Sequence, residues 1–283
     1  MTEPVLSVRN LHVNFQYKKR IQEIIRGVDF DVYPGKCLGI LGESGSGKSM
    51  SLKAVMGILD KNFHVEGQAL YRGGEYEESE DLLLKNKEGL RCLRGRKIAM
   101  ILQNPMTCFD PLYRIDYQMA ETYEEHFKMT AGEIHEKSVQ VLTSMQIRNP
   151  EEVLKKYPHQ LSGGMLQRIM IGLAMSMEPD ILIADEPTTA IDAITQYEIM
   201  KEFVRIKKEA KTAMVFISHD LGVIAEIADE VLVMNRGRVA DRGTFHEIML
   251  HARDPYTRLL VEKKRAVMTR YREALNRKEE VSA

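Results

Sequence analysis

The chain has 283 residues, 44% of them hydrophobic, and its 40 Lys and Arg against 41 Asp and Glu leave a net charge of -1. That length and apolar share bury a full core in one large domain, or one domain with an inserted or appended piece, and the even charge balance argues against a nucleic acid or an anionic membrane as partner of the whole chain. No apolar run reaches the ~20 residues of a membrane span and no signal pattern opens the chain; Cys37, Cys92 and Cys108 make neither a CxxC pair nor a metal-finger spacing and read as structural thiols of a reduced, cytosolic protein.

In chain order, VLSV (5–8), LHVNF (11–15) and VDFDVY (28–33) alternate around turn signals such as Pro34-Gly35 and predict an antiparallel sheet. CLGIL (37–41) is a continuous apolar run of buried-strand type that leads through GESGSGKS into a helix predicted from Ser49 to Leu59. The acidic run from Glu75 to Asp81 reads as an exposed loop, and IAMIL (98–102) as another buried strand ending at Gln103. Helical periodicity holds over 115–178, with breaks near Asn149-Pro150 and Tyr157-Pro158, before ILIAD (181–185) and AMVFIS (213–218) return as buried strands. The pattern is an α/β core split by an all-helical insert at about 104–178. VLVMNRGRVADRG reads as a final hairpin, and 261–283 as a charged helical tail with a solvated face. Met165, Met170, Met175 and Met177 lie along one helix among apolar neighbours, which is core filling rather than metal binding. The eight His form no HxxxH pair or ligand cluster.

The sharpest chemistry lies in Gly42-Glu43-Ser44-Gly45-Ser46-Gly47-Lys48-Ser49, which fits G-x-x-x-x-G-K-[ST] between a buried strand and a helix. Its glycines let successive backbone N–H groups face phosphate oxygens, Lys48 supplies a cation for the β- and γ-phosphates, and the Ser49 hydroxyl suits Mg²⁺. A nucleoside triphosphate with Mg²⁺ also needs a carboxylate to complete the metal shell and a group to orient water. ILIADEP supplies both: Asp185 ends a buried strand, where it can hold Mg²⁺ through water, and Glu186 follows as a candidate general base.

LSGGMLQR (161–168) starts a helix with no carboxylate, thiol or imidazole. Ser162, Gly163 and Gly164 there offer unpaired N–H groups and a partial positive charge to an anion. GESGSGKS, Gln103 in ILQNP, LSGGMLQR, ILIADEP, TTAID (188–192) and His219 in FISHD follow the order and spacing of the nucleotide-binding subunits of ABC transporters, which the chain resembles over residues 5–250. The resemblance implies a P-loop NTPase fold with an antiparallel β subdomain and an inserted α-helical subdomain, an ATP-binding domain over 1–260, and ATP and Mg²⁺ as ligands. It further implies two subunits paired head to tail, so that the LSGG helix of one closes over ATP held by the P-loop of the other. By the same resemblance Gln103 contacts Mg²⁺ and the attacking water, His219 stands near the γ-phosphate, and Asp192 faces the partner. The resemblance also implies an aromatic stacked on adenine, Phe15, with Tyr17 as the alternative. TTAID departs from the commoner serine-alanine-leucine-aspartate wording but keeps Asp192.

NPMTCFDPLYRI (104–115), Asp254-Pro255-Tyr256-Thr257-Arg258 and the overall length resemble the oligopeptide, dipeptide and nickel importer branch. The resemblance implies a prokaryotic, binding-protein-dependent importer: a second ATP-binding subunit in a heterodimer or homodimer, two membrane permeases, an extracytoplasmic binding protein, and a peripheral place on the cytoplasmic face of the membrane. Leu166 in LSGGMLQR and the lack of a C-terminal cysteine cluster resemble the nickel-type D subunits, so nickel or another metal chelate is the expected cargo, with di- or oligopeptides as the second reading. Soluble ABC proteins acting on nucleic acid or ribosomes carry long coiled coils or fused nucleotide domains, and neither is present. A non-catalytic regulatory subunit would have a damaged Glu186 or His219, and both are intact.

Overall fold

The first strand runs longer than the alternation predicts, because one bulge rather than a turn separates its two apolar runs. The computed structural model describes residues 3–18, 20–73, 79–189, 192–209 and 212–266. Strand β1 (Leu6–Tyr17) pairs antiparallel with β2 (Arg20–Val32), and its register slips between Val8 and Leu11, where Asn10 adopts φ 48°. β3 (Cys37–Leu41) leads into α1 (Lys48–Val55). That helix ends before the predicted Leu59, at Met56, where Gly57 turns left-handed with φ 60°. β4 (Phe63–Tyr71) lies on the other side of β1, and its Gly67 (φ 118°) answers the bulge: a Cβ there would sit 2.5 Å from the Asn10 carbonyl oxygen.

The acidic run is only partly loop. Residues 74–78 lie outside the described residues, but Glu80–Asp81 forms β5 against β4 and is half-buried. The Asp81 carboxylate accepts the Ala69 and Leu83 N–H groups, at 3.0 Å each, so this charge caps structure instead of facing solvent. Then follow α2 (Lys87–Leu93), β6 (Ile98–Ile101) and a wholly helical stretch: α3 (Ile115–His126), α4 (Ala131–Ser144), α5 (Pro150–Leu154) and α6 (Gly163–Ser176). β7 (Ile181–Asp185), α7 (Ala193–Glu209), β8 (Ala213–Ser218), α8 (Leu221–Ile227), the hairpin β9 (Glu230–Asn235) and β10 (Arg238–Gly243), and α9 (Phe245–His251) complete the core. A last helix, α10, spans 255–266, and the remainder of the tail lies outside the described residues.

The strands form two sheets, one in order β2-β1-β4-β5 and one in order β10-β9-β3-β8-β7-β6. In the second, every strand but β10 runs parallel to its neighbour. Alternate residues of its strands feed two separate cores. Leu182, Ala184, Met214 and Phe216 pack with the helical side, while Ile181, Ile183, Val215 and Ile217 pack with the antiparallel sheet. Both faces are covered, which is why these strands read as unbroken apolar runs. Met170 and Met177 are buried in the helical-side core, with Met165 and Met175 packed against it. All three cysteines are free thiols: Cys37 is buried, while Cys92 and Cys108 are exposed, Cys108 Sγ donating to the Asn104 carbonyl at 3.3 Å.

Candidate functional site

Parallel strands put their C-terminal ends at one edge of a sheet, the place where open α/β folds bind ligands. Here β3 delivers the glycine loop to that edge, β6 delivers Gln103, β7 delivers Asp185 and Glu186, and β8 delivers His219. The loop's shape depends on glycine at two points. Gly47 sits at φ 106° directly before α1, with a Cβ position 2.4 Å from Ile25 Cδ1; a Cβ on Gly42 would lie 2.4 Å from the Met234 carbonyl oxygen. Glu43, Ser44 and Gly45 are exposed, whereas Ser46 is buried and its hydroxyl has no hydrogen-bond partner.

Lys48 is almost wholly buried, and its ammonium donates to the carbonyls of Gly42 (2.8 Å) and Glu43 (3.0 Å). Burial holds its pKa below the ordinary lysine value, with nearby Glu186 and Asp185 working the other way. The Ser49 hydroxyl donates to Asp185 Oδ1 at 2.6 Å. Burial raises the Asp185 pKa, against the Ser49 hydrogen bond and the charges of Lys53 and Lys48.

Glu186 is the hub. Its Oε2 accepts from Gln103 Nε2 (3.2 Å) and Thr189 Oγ1 (3.0 Å) and lies 3.4 Å from His219 Nδ1, while Oε1 lies 3.6 Å from Lys48 Nζ. Its backbone is left-handed at φ 48°, uncommon for a residue with a side chain and a conformation that gathers at functional sites. Thr189 was not singled out from the sequence; its place three residues after Glu186 in a turn was the available signal.

Ser162 caps α6 by accepting the Met165 N–H at 3.3 Å. A Cβ on Gly163 would meet nothing within 4 Å, whereas one on Gly164 would fall 2.6 Å from Thr195 Cγ2. The two glycines therefore differ: the first leaves an open face, the second lets α6 approach α7. Asp192 caps α7 through the N–H groups of Ile194 (3.1 Å) and Thr195 (3.0 Å), which hold its carboxyl below the usual range. Ala190 and Ile191 of the same segment lie outside the described residues. Ser162, Gly163, Gly164, Asp192, Thr195, Gln103 and Thr189 line one open cleft of about 550 Å³. Of the aromatic candidates, Phe15 is half-buried with its ring centroid 4.9 Å from that of Phe63, and Tyr17 is exposed beneath Lys18 Nζ.

Strand, glycine loop, helix and a carboxylate-tipped strand two places away in the same parallel sheet define a P-loop nucleotide-binding protein. The model of the ABC transporter family matches residues 25–189, and the chain belongs to that family as an ATP-binding subunit with ATPase activity. It is 37% identical over 271 residues, 96% of this chain and 97% of the relative, to the metal-staphylopine import system ATP-binding protein CntD of Staphylococcus aureus. It is 41% identical to the dipeptide transport ATP-binding protein DppD of Bacillus subtilis, covering 92% of this chain and 76% of that one. Among solved structures, cbiO1 from Clostridium perfringens, part of the ABC transporter complex cbiONQ, superposes with a TM-score of 0.70 at 27% identity over 88% of this chain and 92% of that one. The ATP-binding cassette MJ0796, in a dimeric post-hydrolysis state bound to ADP and Pi, shares the fold with a TM-score of 0.71 at 22% identity over 85% of this chain and 98% of that one. Among the described residues no helix is long and apolar enough to cross a membrane.

Proposed function

We propose that the chain powers a binding-protein-dependent importer from the cytoplasmic face of the membrane, with the residues that converge on Glu186 as its hydrolytic machinery. That convergence carries the reading, because it joins the phosphate-binding cation, a carboxylate base, an amide and an imidazole around one point. Amides of the loop after Glu43 and the Lys48 ammonium take the phosphates, Lys48 leaving the carbonyls of Gly42 and Glu43 on which it now rests. Ser49 and Asp185 fit Mg²⁺, since a hydroxyl and a buried carboxylate are hard oxygen donors and a cation would offset the cost of ionising Asp185; held there, it would supply positive charge to offset that of the phosphate oxygens. Gln103 also joins that set and helps place water. Glu186 takes a proton from water as it attacks the γ-phosphorus, the bond to the β–γ bridging oxygen breaks so that ADP leaves with phosphate as the second product, and His219 steadies the charge that develops. Phe15, braced by Phe63, stacks on adenine, with Tyr17 as the alternative.

A second ATP-binding subunit supplies the opposite half of the site, its LSGG helix facing this chain's nucleotide. The ATP-binding domain covers 1–260, with the insert at about 104–178 and the tail beyond it. Met106, Leu112, Tyr113 and Tyr117 are exposed and near Gln103 in sequence, with the rings of Tyr113 and Tyr117 stacked at 4.8 Å, and these are the side chains we assign to contact with the permeases. A metal or metal chelate, nickel included, is the first cargo reading and follows the CntD similarity; di- or oligopeptides are the second and follow DppD. A strain lacking the gene should lose uptake of one cargo class, and Glu186→Gln on a plasmid should fail to restore it. Nickel and cobalt uptake left intact alongside lost peptide uptake would remove the metal reading, and full restoration by Glu186→Gln would remove the hydrolytic assignment.

A further inference from the structure

The Asp254-Pro255-Tyr256-Thr257-Arg258 segment carries more than a mark of its branch. Asp241 accepts the N–H groups of Arg253 (3.1 Å) and Asp254 (3.0 Å), and the Asp254 side chain accepts the Tyr256 N–H at 2.8 Å, so the start of α10 is fixed to β10. Thr257 is fully buried and Val261 nearly so, seating one face of the helix in the helical-side core. From that seat two polar side chains reach opposite parts of the nucleotide site. The Tyr256 hydroxyl accepts the Glu43 N–H at 2.9 Å, and Lys264 Nζ donates to Asp220 Oδ1 at 2.7 Å. Positions eight apart on a helix share a broad face and stand ~12 Å apart along its axis.

Both contacts fall next to working groups. The peptide unit joining Gly42 to Glu43 presents its carbonyl to Lys48 and its N–H to Tyr256. Tyr256 thus sets the tilt of the peptide on which Lys48 rests. Asp220 directly follows His219 and caps α8, and the Oδ1 atom held by Lys264 also accepts the Gly222 N–H at 2.7 Å. Lys264 thus fixes the start of the helix that follows His219, whose imidazole faces Glu186.

We infer that α10 is a strap that holds the glycine loop and the His219 loop in mutual register, with Tyr256 and Lys264 as positioning residues for ATP binding and hydrolysis respectively. This rests on the ATPase reading of the site. Tyr256→Phe removes only a hydroxyl, and should raise the Kd and KM for ATP about 3- to 10-fold, the range for losing one hydrogen bond, with kcat within about twofold and the nucleotide-free melting temperature within about 2 °C. Lys264→Met should lower kcat about 3- to 10-fold with KM within about twofold, and Lys264→Arg should recover most of it. Binding is measured by titrating Mg-ATP into the full-length chain, and turnover in the assembled transporter. A normal KM in Tyr256→Phe, or a normal kcat in Lys264→Met, overturns the strap. So do losses in both variants that merely track a lowered nucleotide-free melting temperature, which would make α10 a structural prop. A wild-type chain that neither binds nor hydrolyses ATP removes the reading beneath the inference, whereas wild-type binding with unshifted variants removes the strap alone.

Discussion

Gly163→Ala and Gly164→Ala separate two roles that the sequence presents as one repeated residue. A methyl on Gly163 meets open space at the first position of α6, so the substitution should stabilise the chain by up to ~1 kcal/mol through helix propensity and a less free unfolded state. For a chain of this size that is a rise of about 2–4 °C in melting temperature. A methyl on Gly164 lies 2.6 Å from Thr195 Cγ2, and overpacking of that kind costs ~1–3 kcal/mol. Set against the propensity gain, Gly164→Ala should be neutral to destabilising by about 2 kcal/mol, and adding Thr195→Ser, which deletes the opposing methyl, should recover the loss. Activity should follow a different order. If the open face of Gly163 receives a neighbour's γ-phosphate, Gly163→Ala should cut ATPase turnover in the assembled transporter by roughly tenfold or more, although the protein is more stable and the lone subunit binds ATP normally. Differential scanning fluorimetry and a phosphate-release assay on the same preparations give both numbers. Wild-type turnover in Gly163→Ala would refute the assignment of that face to an anion.

Glu186→Gln keeps size and an acceptor oxygen but removes the base, so turnover should fall by a factor on the order of 10² or more while ATP stays bound; size-exclusion with the cognate subunit should show a closed dimer accumulating with Mg-ATP, and normal hydrolysis would exclude the base role. Lys48→Ala should abolish hydrolysis and weaken nucleotide binding, because it removes the cation opposite the phosphates; wild-type turnover would cancel the glycine-loop assignment. Asp185→Asn should raise nucleotide-free stability at neutral pH and weaken Mg-ATP binding together. The sign follows from a folded-state pKa raised above 3.8 by burial: the cost of ionising Asp185 is present at neutral pH and fades as pH falls through that raised value. Metal-dependent binding should accordingly be lost at a higher pH than an ordinary carboxylate would give, and a lower melting temperature for Asp185→Asn would contradict this.

Legibility followed locality. The glycine loop is contiguous, so its residues and their strand–helix setting were plain in sequence. Gln103, Glu186 and His219 lie far apart in the chain, yet each follows a buried apolar run, and parallel pairing carries such run ends to one edge of the sheet. The antiparallel sheet was harder. β4 has no place among the predicted strands: Gly67 interrupts its pattern, and the reason for that glycine is the Asn10 bulge on another strand. β2 begins eight residues before the predicted VDFDVY because Arg20 to Gly27 is too polar to announce a strand that has only one covered side. The acidic run concealed β5, since Asp81 uses its charge on backbone N–H groups. Tyr256 was visible only as part of a motif, because its partner is 213 residues away.

The division of charge within the site bears on the proposal that two chains share it. Lys48, Asp185, Glu186 and His219 belong to the half built around the glycine loop, where burial opposes the charged forms of both Lys48 and Asp185. The half built around Ser162 and Gly163 holds backbone amides and a helix start, with no Lys or Arg among the described residues that line its cleft. No residue of the glycine loop lines the cleft in front of Gly163, which is bounded instead by Gln103, Thr189 and Asp192. Amides that face open space are weak anion donors until an anion is fixed opposite them, and a glycine loop that grips phosphates from one side leaves their far side to water. Each half supplies what the other lacks. Under the proposed pairing, two chains facing each other would satisfy both, and the closing contact would then depend on the γ-phosphate that hydrolysis removes.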